Sequence, residues 1–448
     1  MNRIIAGRPK APVLALGLLA GSALLLAPCS TAAQVRMTVP PQSEPIALTG
    51  ATIHTVTQGV IENGTIVFDD GVIIAVGADV AIPAGARVVD ASGKHIYPGL
   101  VDAHTTLGIT EIGAVDVSND INELGDFNPN VRAEVAVNAE SRHIGTSRSA
   151  GVLVALSAPG GGLVSGMSSA LNLEGWSWEE MSMEGMAALN VNWPNPNPSR
   201  RWWGGAGGQQ GPSYAEQVTK IRDFFADSRA YRDAVEAGQT VTTDSRYAAM
   251  IPVLNRQIPV VVAADGAKQI NDAITWALEE EVRLVIRGGR DAVRFADRLV
   301  EHAIPVLVTA TLDGPERDWE GYDAAYRLPA ELHAKGVKFA IAGGSGAAYT
   351  NRLPWEAGVA VAYGLPEDVA LEAVTIAPAQ FMGISDRVGS LEPGKEATLL
   401  ITTGTPLDMT SDIEQAYIQG RELDMMDIQK FFFEKYMTKV LQYRRLVM

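Results

Sequence analysis

The sequence predicts an α/β fold: a (β/α)8 TIM-like barrel joined to a small β-sandwich domain composed of an N-terminal and a C-terminal segment. Between residues 98 and 386, short continuous apolar runs alternate with helical stretches, as buried parallel strands and their crossover helices do. Residues 46–97 and 387–424 instead carry short strands separated by turn residues. With 448 residues, 47% of them hydrophobic, the chain can bury one large core and one smaller core.

Residues 1–33 are typical of a secretory signal peptide. Three basic residues precede an apolar run from Ala11 to Ala27, and Thr31-Ala32-Ala33 has the small-x-small pattern of a cleavage site. The run contains Pro12 and is short for a membrane span. We therefore expect an exported protein, periplasmic or extracellular, with no membrane span after cleavage.

The sequence has a single cysteine, Cys29, which lies within this segment. Lipid attachment there fits poorly because Pro28 precedes it. Cleavage after Ala33 removes the cysteine, three basic residues and no acidic ones, so the formal net charge changes from −16 to −19. Such an acidic chain excludes nucleic acid as the natural partner, because phosphate binding requires a basic face.

The β domain is predicted from turn chemistry. After a linker of residues 34–45, apolar alternations flank Asp69-Asp70-Gly71, and Asp-Gly in that setting is a strong hairpin signal. Residues 387–424 return to the same strand-and-turn pattern and are expected to complete the domain.

The barrel is predicted over residues 98–386. Its strands are expected at 96–102, 151–157, 170–174, 187–191, 259–263, 282–286, 304–309 and 337–342, of which the fourth is the weakest signal. The clearest helices are expected at 269–281, 291–302 and 322–335. Active sites of such barrels lie at the carboxyl ends of the strands, and His104 is the one histidine of six that ends a predicted barrel strand.

Two further segments are rich in aromatic residues. A Trp- and Gly-rich insertion at residues 176–212 holds five of the eight tryptophans. One interpretation is a lid or a protein-binding surface, and the other is a loop that packs over the top of the barrel. Residues 425–448 predict a helix with Phe432, Tyr436 and Tyr443 on one face. That helix either packs on the chain's own barrel or forms a subunit interface.

Two motifs at the ends of the barrel resemble the amidohydrolase superfamily. Residues 97–104, Tyr-Pro-Gly-Leu-Val-Asp-Ala-His, are similar to the start of its barrel, and residues 388–395, Val-Gly-Ser-Leu-Glu-Pro-Gly-Lys, to its end. The resemblance is closest to imidazolonepropionase-like amidohydrolases and covers nearly the whole mature chain. It implies a hydrolase that acts on carbon–nitrogen bonds other than peptide bonds, with one or two divalent metals such as zinc.

Most of the metal ligands that this resemblance implies are missing. Active members use His-x-His after strand one, a carboxylated lysine or a glutamate mid-barrel, histidines after strands five and six, and an aspartate after strand eight. Here His104 matches the first ligand, and the later histidine and aspartate positions hold Thr106, Ala263, Gly288 and Gly344. Zinc needs three or four protein ligands, so we predict no bound cofactor.

Other groups near the barrel mouth leave alternatives open. Five acidic residues are either oxygen ligands suited to magnesium or calcium or solvated acids of the loops. They are Asp102, Glu111, Asp116, Asp120 and Asp265. Of these, Glu111 and Asp265 are candidates to line a pocket. His104 is either a metal ligand or a hydrogen-bonded relic. No Gly-x-Ser-x-Gly motif predicts a nucleophilic serine.

The first functional hypothesis is an exported, non-catalytic subunit or partner of an intact amidohydrolase, in a homo- or hetero-oligomer. One alternative is a working hydrolase of amide or cyclic amide bonds with a reduced metal site around His104. Another is a small-molecule-binding module that uses the vestigial pocket. The resemblance implies an enzyme, whereas the missing ligands argue against catalysis.

Overall fold

The computed structural model describes residues 38–197, 212–309, 311–343 and 346–447. Within these ranges the chain forms two eight-stranded sheets and eleven α-helices. Strands and α-helices are numbered in chain order. The predicted signal peptide, residues 1–33, lies outside the described residues.

The first sheet belongs to the β domain and takes strands from both ends of the chain. The N-terminal segment supplies β1 (Ile46–His54), β2 (Val60–Asp69), β3 (Val72–Gly77), β4 (Arg87–Asp90) and β5 (His95–Pro98). The C-terminal segment supplies β14 (Leu399–Thr402), β15 (Ile413–Ile418) and β16 (Arg421–Glu422). Across the sheet the order is β16-β15-β14-β5-β1-β2-β3, with β4 paired to β1.

The two segments join where β5 and β14 pair antiparallel, with Ile96 opposite Ile401. Phe68 and Tyr417, one from each segment, are both buried and meet edge to face at a centroid distance of 5.2 Å. Aromatic side chains bury large apolar areas. Each segment therefore covers apolar surface that the other segment would expose to solvent on its own. The composite β domain that the sequence predicts is confirmed.

The second sheet is the barrel. Its strands pair in chain order and are β6 (Leu100–Thr105), β7 (Val152–Ser157), β8 (Val164–Asn172), β9 (Ser182–Asn192), β10 (Val260–Ala264), β11 (Leu284–Gly288), β12 (Val306–Thr309) and β13 (Phe339–Ala342). The backbone N–H of Gly343, directly after β13, donates to Asp102 Oδ1 on β6 at 3.2 Å. The last strand therefore lies beside the first, and the sheet is nearly closed. The predicted barrel fold is confirmed.

One barrel strand differs from the expected parallel arrangement. β8 runs antiparallel to both β7 and β9, whereas β9 to β13 pair parallel. The connection from β7 to β8, residues 158–163, is too short for a crossover, which takes about a dozen residues or more. Gly161 and Gly162 both have positive φ, 77° and 58°, and allow the chain to turn back there as a hairpin.

Most of the helices pack around the barrel sheet, and the last one in the chain extends away from it. The helices are α1 (Arg142–Ser149), α2 (Trp178–Met181), α3 (Tyr214–Glu236), α4 (Ser245–Leu254), α5 (Ala267–Glu279), α6 (Ala296–Glu301), α7 (Ala324–Ala334), α8 (Leu353–Ala362), α9 (Glu367–Ala373), α10 (Ile376–Phe381) and α11 (Ile428–Val447). Short 3-10 helices occur at Asp116–Ser118, Ala133–Ala136, Ala292–Phe295 and Ala347–Arg352. No helix in the described part of the chain is both long and apolar enough to cross a membrane.

The Trp- and Gly-rich segment is partly barrel. Residues 182–192 form β9, the fourth strand of the barrel sheet. Trp193 is buried, its Nε1–H donates to the Tyr214 hydroxyl at 3.0 Å, and its ring lies 5.3 Å from that of Trp276. For Trp193 the structure therefore shows packing rather than an open binding surface. Trp202, Trp203 and the glycines at 204–208 lie outside the described residues.

The C-terminal helix α11 starts at the barrel and then leaves it. Asp427 accepts hydrogen bonds from the backbone N–H groups of Gln429 and Lys430 at 2.6 and 2.9 Å, and from the hydroxyl of Ser149 at the end of α1. From Phe432 to Arg444 every residue is exposed. Packing of this helix on the chain's own barrel, one of the two predicted alternatives, therefore does not extend beyond its first turn.

Gly358 on α8 marks a tight contact between the barrel and the C-terminal segment, because a Cβ there would overlap the carbonyl oxygen of Leu407. We expect Gly358→Ala to lower the free energy of unfolding by about 1–3 kcal/mol, the usual cost of overpacking, as measured by urea denaturation. Gly314→Ala is the control, since a Cβ at that position meets nothing within 4 Å. Equal stability of the two variants would contradict the expectation.

Candidate functional site

The candidate site lies at the carboxyl ends of the barrel strands. His104 lies near the end of β6 and Thr106 follows that strand, Ala263 lies on β10, and Gly288 ends β11. Gly344, the position expected to hold the last metal-ligating aspartate, lies outside the described residues.

The pairing register of the strands identifies Arg287 as a residue of the site, which the sequence did not predict. In the β10–β11 pair, Ala263 lies opposite Arg287, and Gly288 lies opposite Ala264. Val285 belongs to the apolar cluster inside the barrel, and side chains two apart on a strand share a face. Arg287 is therefore level with Ala263 and points inward. The signal in the sequence was the alternation of Val285 and Arg287 around Ile286.

Arg287 contributes a positive charge to the site. Its guanidinium is partly buried and makes no hydrogen bond to the described residues. Burial lowers the pKa of Arg287, and the nearby charge of Asp265 partly offsets this. Burial, and then the positive charge of Arg287, hold the pKa of His104 well below its usual range. The imidazole of His104 is therefore neutral at neutral pH.

Asp102 is a fully buried carboxyl group beside this pair. Its Oδ1 accepts hydrogen bonds from the backbone N–H groups of His104 at 3.1 Å and Gly343 at 3.2 Å. Its Oδ2 is buried and has no hydrogen-bond partner among the described residues. Burial is the main cause that raises the pKa of Asp102 to about 7. The two backbone hydrogen bonds act against this rise in pKa, and the charge of Glu356 contributes to it.

Thr106 makes a hydrogen bond at the position of the expected second histidine. Its Oγ1 accepts from the backbone N–H of Ala347 at 3.0 Å, at the start of the 3-10 helix Ala347–Arg352. The neighbouring hydroxyls of Thr105 and Thr350 lie 2.6 Å apart. These contacts attach the end of β6 to the segment that follows β13, so the threonine has a structural role.

Carboxyl groups fill the space at the ligand position Gly288 and at Gly343, which precedes the ligand position Gly344. A Cβ at Gly288 would overlap Oδ1 of Asp265, and the φ of Gly288 is +92°, which side chains rarely adopt. A Cβ at Gly343, the residue before the expected aspartate position Gly344, would lie 2.8 Å from Oδ2 of Asp102. A histidine or aspartate therefore cannot be introduced at either glycine without moving an existing carboxyl group.

The candidate acidic residues do not converge. Asp265 lines a cavity of about 560 Å³ together with Gly288 and Thr309. Glu111 lies elsewhere, with its Oε1 accepting from Asn138 Nδ2 at 3.2 Å. Asp120 lines a separate cavity of about 460 Å³, and Asp116 lies in a 3-10 helix without buried residues.

Among the residues that the structure describes, no three His, Cys, Asp or Glu side chains come together as a metal-binding group. With Ala263, Arg287 and Thr106 at or beside the ligand positions, the residues present do not fit the one or two divalent metals that the resemblance implies.

Ion pairs hold the rim of the larger cavity. Arg317 donates to both carboxylate oxygens of Asp291, at 2.9 and 3.0 Å, and its guanidinium lies 5.2 Å from the Trp319 ring centroid. Arg290 pairs with Glu316 at 3.1 Å. Bidentate pairing gives a defined geometry, so the loop between β12 and α7 is fixed to the loop after β11.

Known proteins share the fold and parts of the sequence. The model of the family described as "Amidohydrolase family" matches residues 324–435. A crystal structure of an amidohydrolase from Thermotoga maritima MSB8 is 30% identical in sequence, with a TM-score of 0.77, and the match covers 85% of this chain and 99% of that one.

Two curated relatives match over different lengths. The "Amidohydrolase tasK" of Hapsidospora irregularis is 22% identical over 387 residues, 76% of this chain and 37% of that protein. The imidazolonepropionase of Mesorhizobium japonicum is 47% identical over 53 residues, 11% of this chain and 13% of that protein. The chain thus spans well under two thirds of the length of these relatives.

The raised pKa of Asp102 makes stability depend on pH. Unfolded aspartate titrates near pH 4 and the folded group near pH 7, so its contribution to stability is complete below about pH 4 and is lost as the pH rises to 7. Asp102→Asn removes this loss. We expect the variant to gain roughly 2–3 kcal/mol relative to the unmodified chain between pH 5 and pH 8, measured by urea denaturation.

Glu140→Gln is the control for this measurement, because Glu140 is an exposed acid. Its stability difference from the unmodified chain is expected to stay constant over the same range. A constant difference for Asp102→Asn as well would show that Asp102 does not titrate near neutral pH.

Proposed function

This chain belongs to the amidohydrolase family, and from that premise we propose that it is a non-catalytic member that works as a subunit or partner of an intact amidohydrolase. On the basis of residues 1–33, the proposal places it outside the cytoplasm, in the periplasm or the extracellular space. The family chemistry requires a divalent metal to activate water, and the residues at the ligand positions argue against one.

The observation that carries the proposal is the inward-facing guanidinium of Arg287. It lies level with Ala263, at the height where two neighbouring strands supply histidine ligands in metal-binding members, and close enough to His104 to lower the pKa of its imidazole. A fixed positive charge there repels a divalent cation, and the repulsion is strong because the site is poorly solvated. Loss of ligands alone weakens metal binding, whereas an added cation opposes it.

The replaced positions also have other uses. Thr106 binds the start of the 3-10 helix Ala347–Arg352, and Gly288 leaves room for the carboxylate of Asp265. The ligand positions of this chain serve packing, and the fold is kept. We infer that the function of the chain depends on the fold itself. Association with a second barrel of the same fold is such a function, because related subunits assemble with similar surfaces.

A partner surface is available near the barrel mouth. In the loop between β6 and α1, the residues Val117 and Leu124 are 97% and 95% exposed, and Ile112 is more than half exposed. Apolar side chains exposed together mark protein–protein contacts more often than isolated ones do. We assign this loop, residues 109–136, to contact with the partner.

A second candidate function, a small-molecule-binding module, is favoured by the same guanidinium. Arg287 has no hydrogen-bond partner among the described residues, and arginine is well suited to pair with a carboxylate through two parallel hydrogen bonds. Neutral His104 beside it adds a donor or an acceptor. This function requires an anionic ligand and no second subunit.

Metal content tests the loss of catalysis. The purified chain is expected to carry less than about half an equivalent of zinc, manganese or iron, because a single histidine cannot retain these ions. The measurement is elemental analysis by mass spectrometry after purification without chelators. Stoichiometric metal that is lost in His104→Ala but kept in His333→Ala, a variant of an exposed histidine, would support a working hydrolase with a reduced metal site instead.

Sedimentation velocity at micromolar concentration tests the partner role. We expect an oligomer, either a homodimer or a complex with an intact amidohydrolase recovered from the same source. The double variant Val117→Ser/Leu124→Ser is expected to weaken association at least tenfold with unchanged thermal stability, since both side chains are exposed. Val300→Ser, an exposed valine on α6, is the control.

A strictly monomeric chain with no partner recovered from its source would overturn the subunit proposal. That result would leave the pocket at His104 and Arg287, and with it the binding-module function, as the better account.

A further inference from the structure

The C-terminal helix α11 carries a large apolar surface that the described chain leaves uncovered. Between Phe432 and Arg444, where every residue is exposed, seven side chains are large and apolar: Phe432, Phe433, Tyr436, Met437, Val440, Leu441 and Tyr443. We call these seven the aromatic face. Phe433 and Tyr443 are 67% and 68% exposed, which is costly for rings of this size unless another surface covers them.

The aromatic face is wide. At 3.6 residues per turn, its seven side chains fall within an arc of about 180°. A two-stranded coiled coil uses a narrower seam, whereas helices that lie in a lipid interface have an apolar face of this width. Two basic residues fall within the arc, Lys430 and Arg444. Lys430 is in the first turn, where its ammonium group donates to the carbonyl oxygen of Met425. Arg444 is in the last turns, where a long side chain can extend its charge away from apolar surface.

The charge of α11 is opposite to that of the rest of the chain. It contains five basic residues, Lys430, Lys435, Lys439, Arg444 and Arg445, and one acidic residue, Glu434, a formal net charge of +4. The whole chain has a formal net charge of −16, so the remainder carries −20. The ammonium group of Lys435 lies 5.7 Å from the Phe432 ring centroid and 5.9 Å from that of Tyr436, which places a cation at the border of the aromatic face.

The width and the charge of α11 indicate which kind of surface covers its aromatic face. Two copies of α11 packed side by side would bring two charges of +4 together, which opposes self-pairing. An anionic lipid surface accepts both features at once, because aromatic rings partition into the headgroup region and lysine or arginine binds lipid phosphates.

We propose that α11 is an interfacial anchor that lies in the plane of an anionic lipid surface without crossing it. The aromatic face enters the boundary between headgroups and acyl chains, and Lys435 and Lys439 contact the phosphates. A helix of 20 residues is about 30 Å long, several times the screening length of about 8 Å at physiological salt. Along most of the helix, salt therefore screens the repulsion between the acidic remainder of the chain and the anionic lipid.

Flotation of the purified chain with large unilamellar vesicles tests the anchor. Vesicles of equal parts phosphatidylglycerol and phosphatidylcholine are expected to bind the chain at least tenfold more tightly than vesicles of phosphatidylcholine alone, and 0.5 M salt is expected to weaken that binding. Phe433→Ser/Leu441→Ser should lower binding at least tenfold by removing apolar contacts. Lys435→Gln/Lys439→Gln should remove most of the preference for the anionic lipid.

Val88→Ser, an exposed valine on β4, is the matched control and is expected to bind like the unmodified chain. Circular dichroism and thermal melting show that the variants remain folded. The readout requires neither a metal nor a partner subunit, so its outcome is independent of the proposed function. Equal binding to both vesicle types would overturn the anchor on an anionic lipid surface. No vesicle binding would overturn it as well, and dimerisation that the Phe433→Ser/Leu441→Ser variant abolishes would then assign α11 to a second copy of this chain.

Discussion

The closure of the barrel between its first and last strands is the contact on which the rest of the site depends. Asp102 on β6 accepts the backbone N–H of Gly343 after β13 as well as that of His104. One carboxyl group thus joins two ends of a sheet that are 241 residues apart in sequence. Asp102 is fully buried, and one of its carboxyl oxygens has no hydrogen-bond partner in the described part of the chain. Closure therefore has an electrostatic cost, which the raised pKa of Asp102 reflects.

The same closed ring of strand ends explains how a hydrolase fold is kept without its metal ligands. In a metal site, imidazole and carboxylate groups converge on a cation, and their mutual repulsion is relieved by it. Here Arg287 supplies a positive charge from the protein itself, next to Asp265 and neutral His104. The small residues Ala263 and Gly288, together with the hydroxyl of Thr106, let backbone and carboxylates occupy the remaining space.

Two surfaces on this chain are distinct in chemistry and position. The loop between β6 and α1 follows the first barrel strand and exposes apolar side chains, Val117 and Leu124 among them, between acidic residues. The helix α11 is aromatic and basic and leaves the domain after its first turn. Taken together, the two proposals describe a chain that holds a partner barrel close to a lipid surface, a role that depends on a stable fold and not on catalysis.

The sequence by itself determined the features that depend on local chemistry. The Asp-Gly turn between β2 and β3, where Asp70 and Gly71 have positive φ, the buried strands of the barrel and the position of His104 near the end of β6 follow from turn preferences and periodicity within a few residues. Only the tertiary structure decided the antiparallel course of β8, the register that sets Arg287 beside Ala263, and the bond between Thr106 and Ala347. These three features depend on pairing between segments that are distant in sequence. The burial and the charge environment of a residue are then set by neighbours that no local sequence pattern specifies.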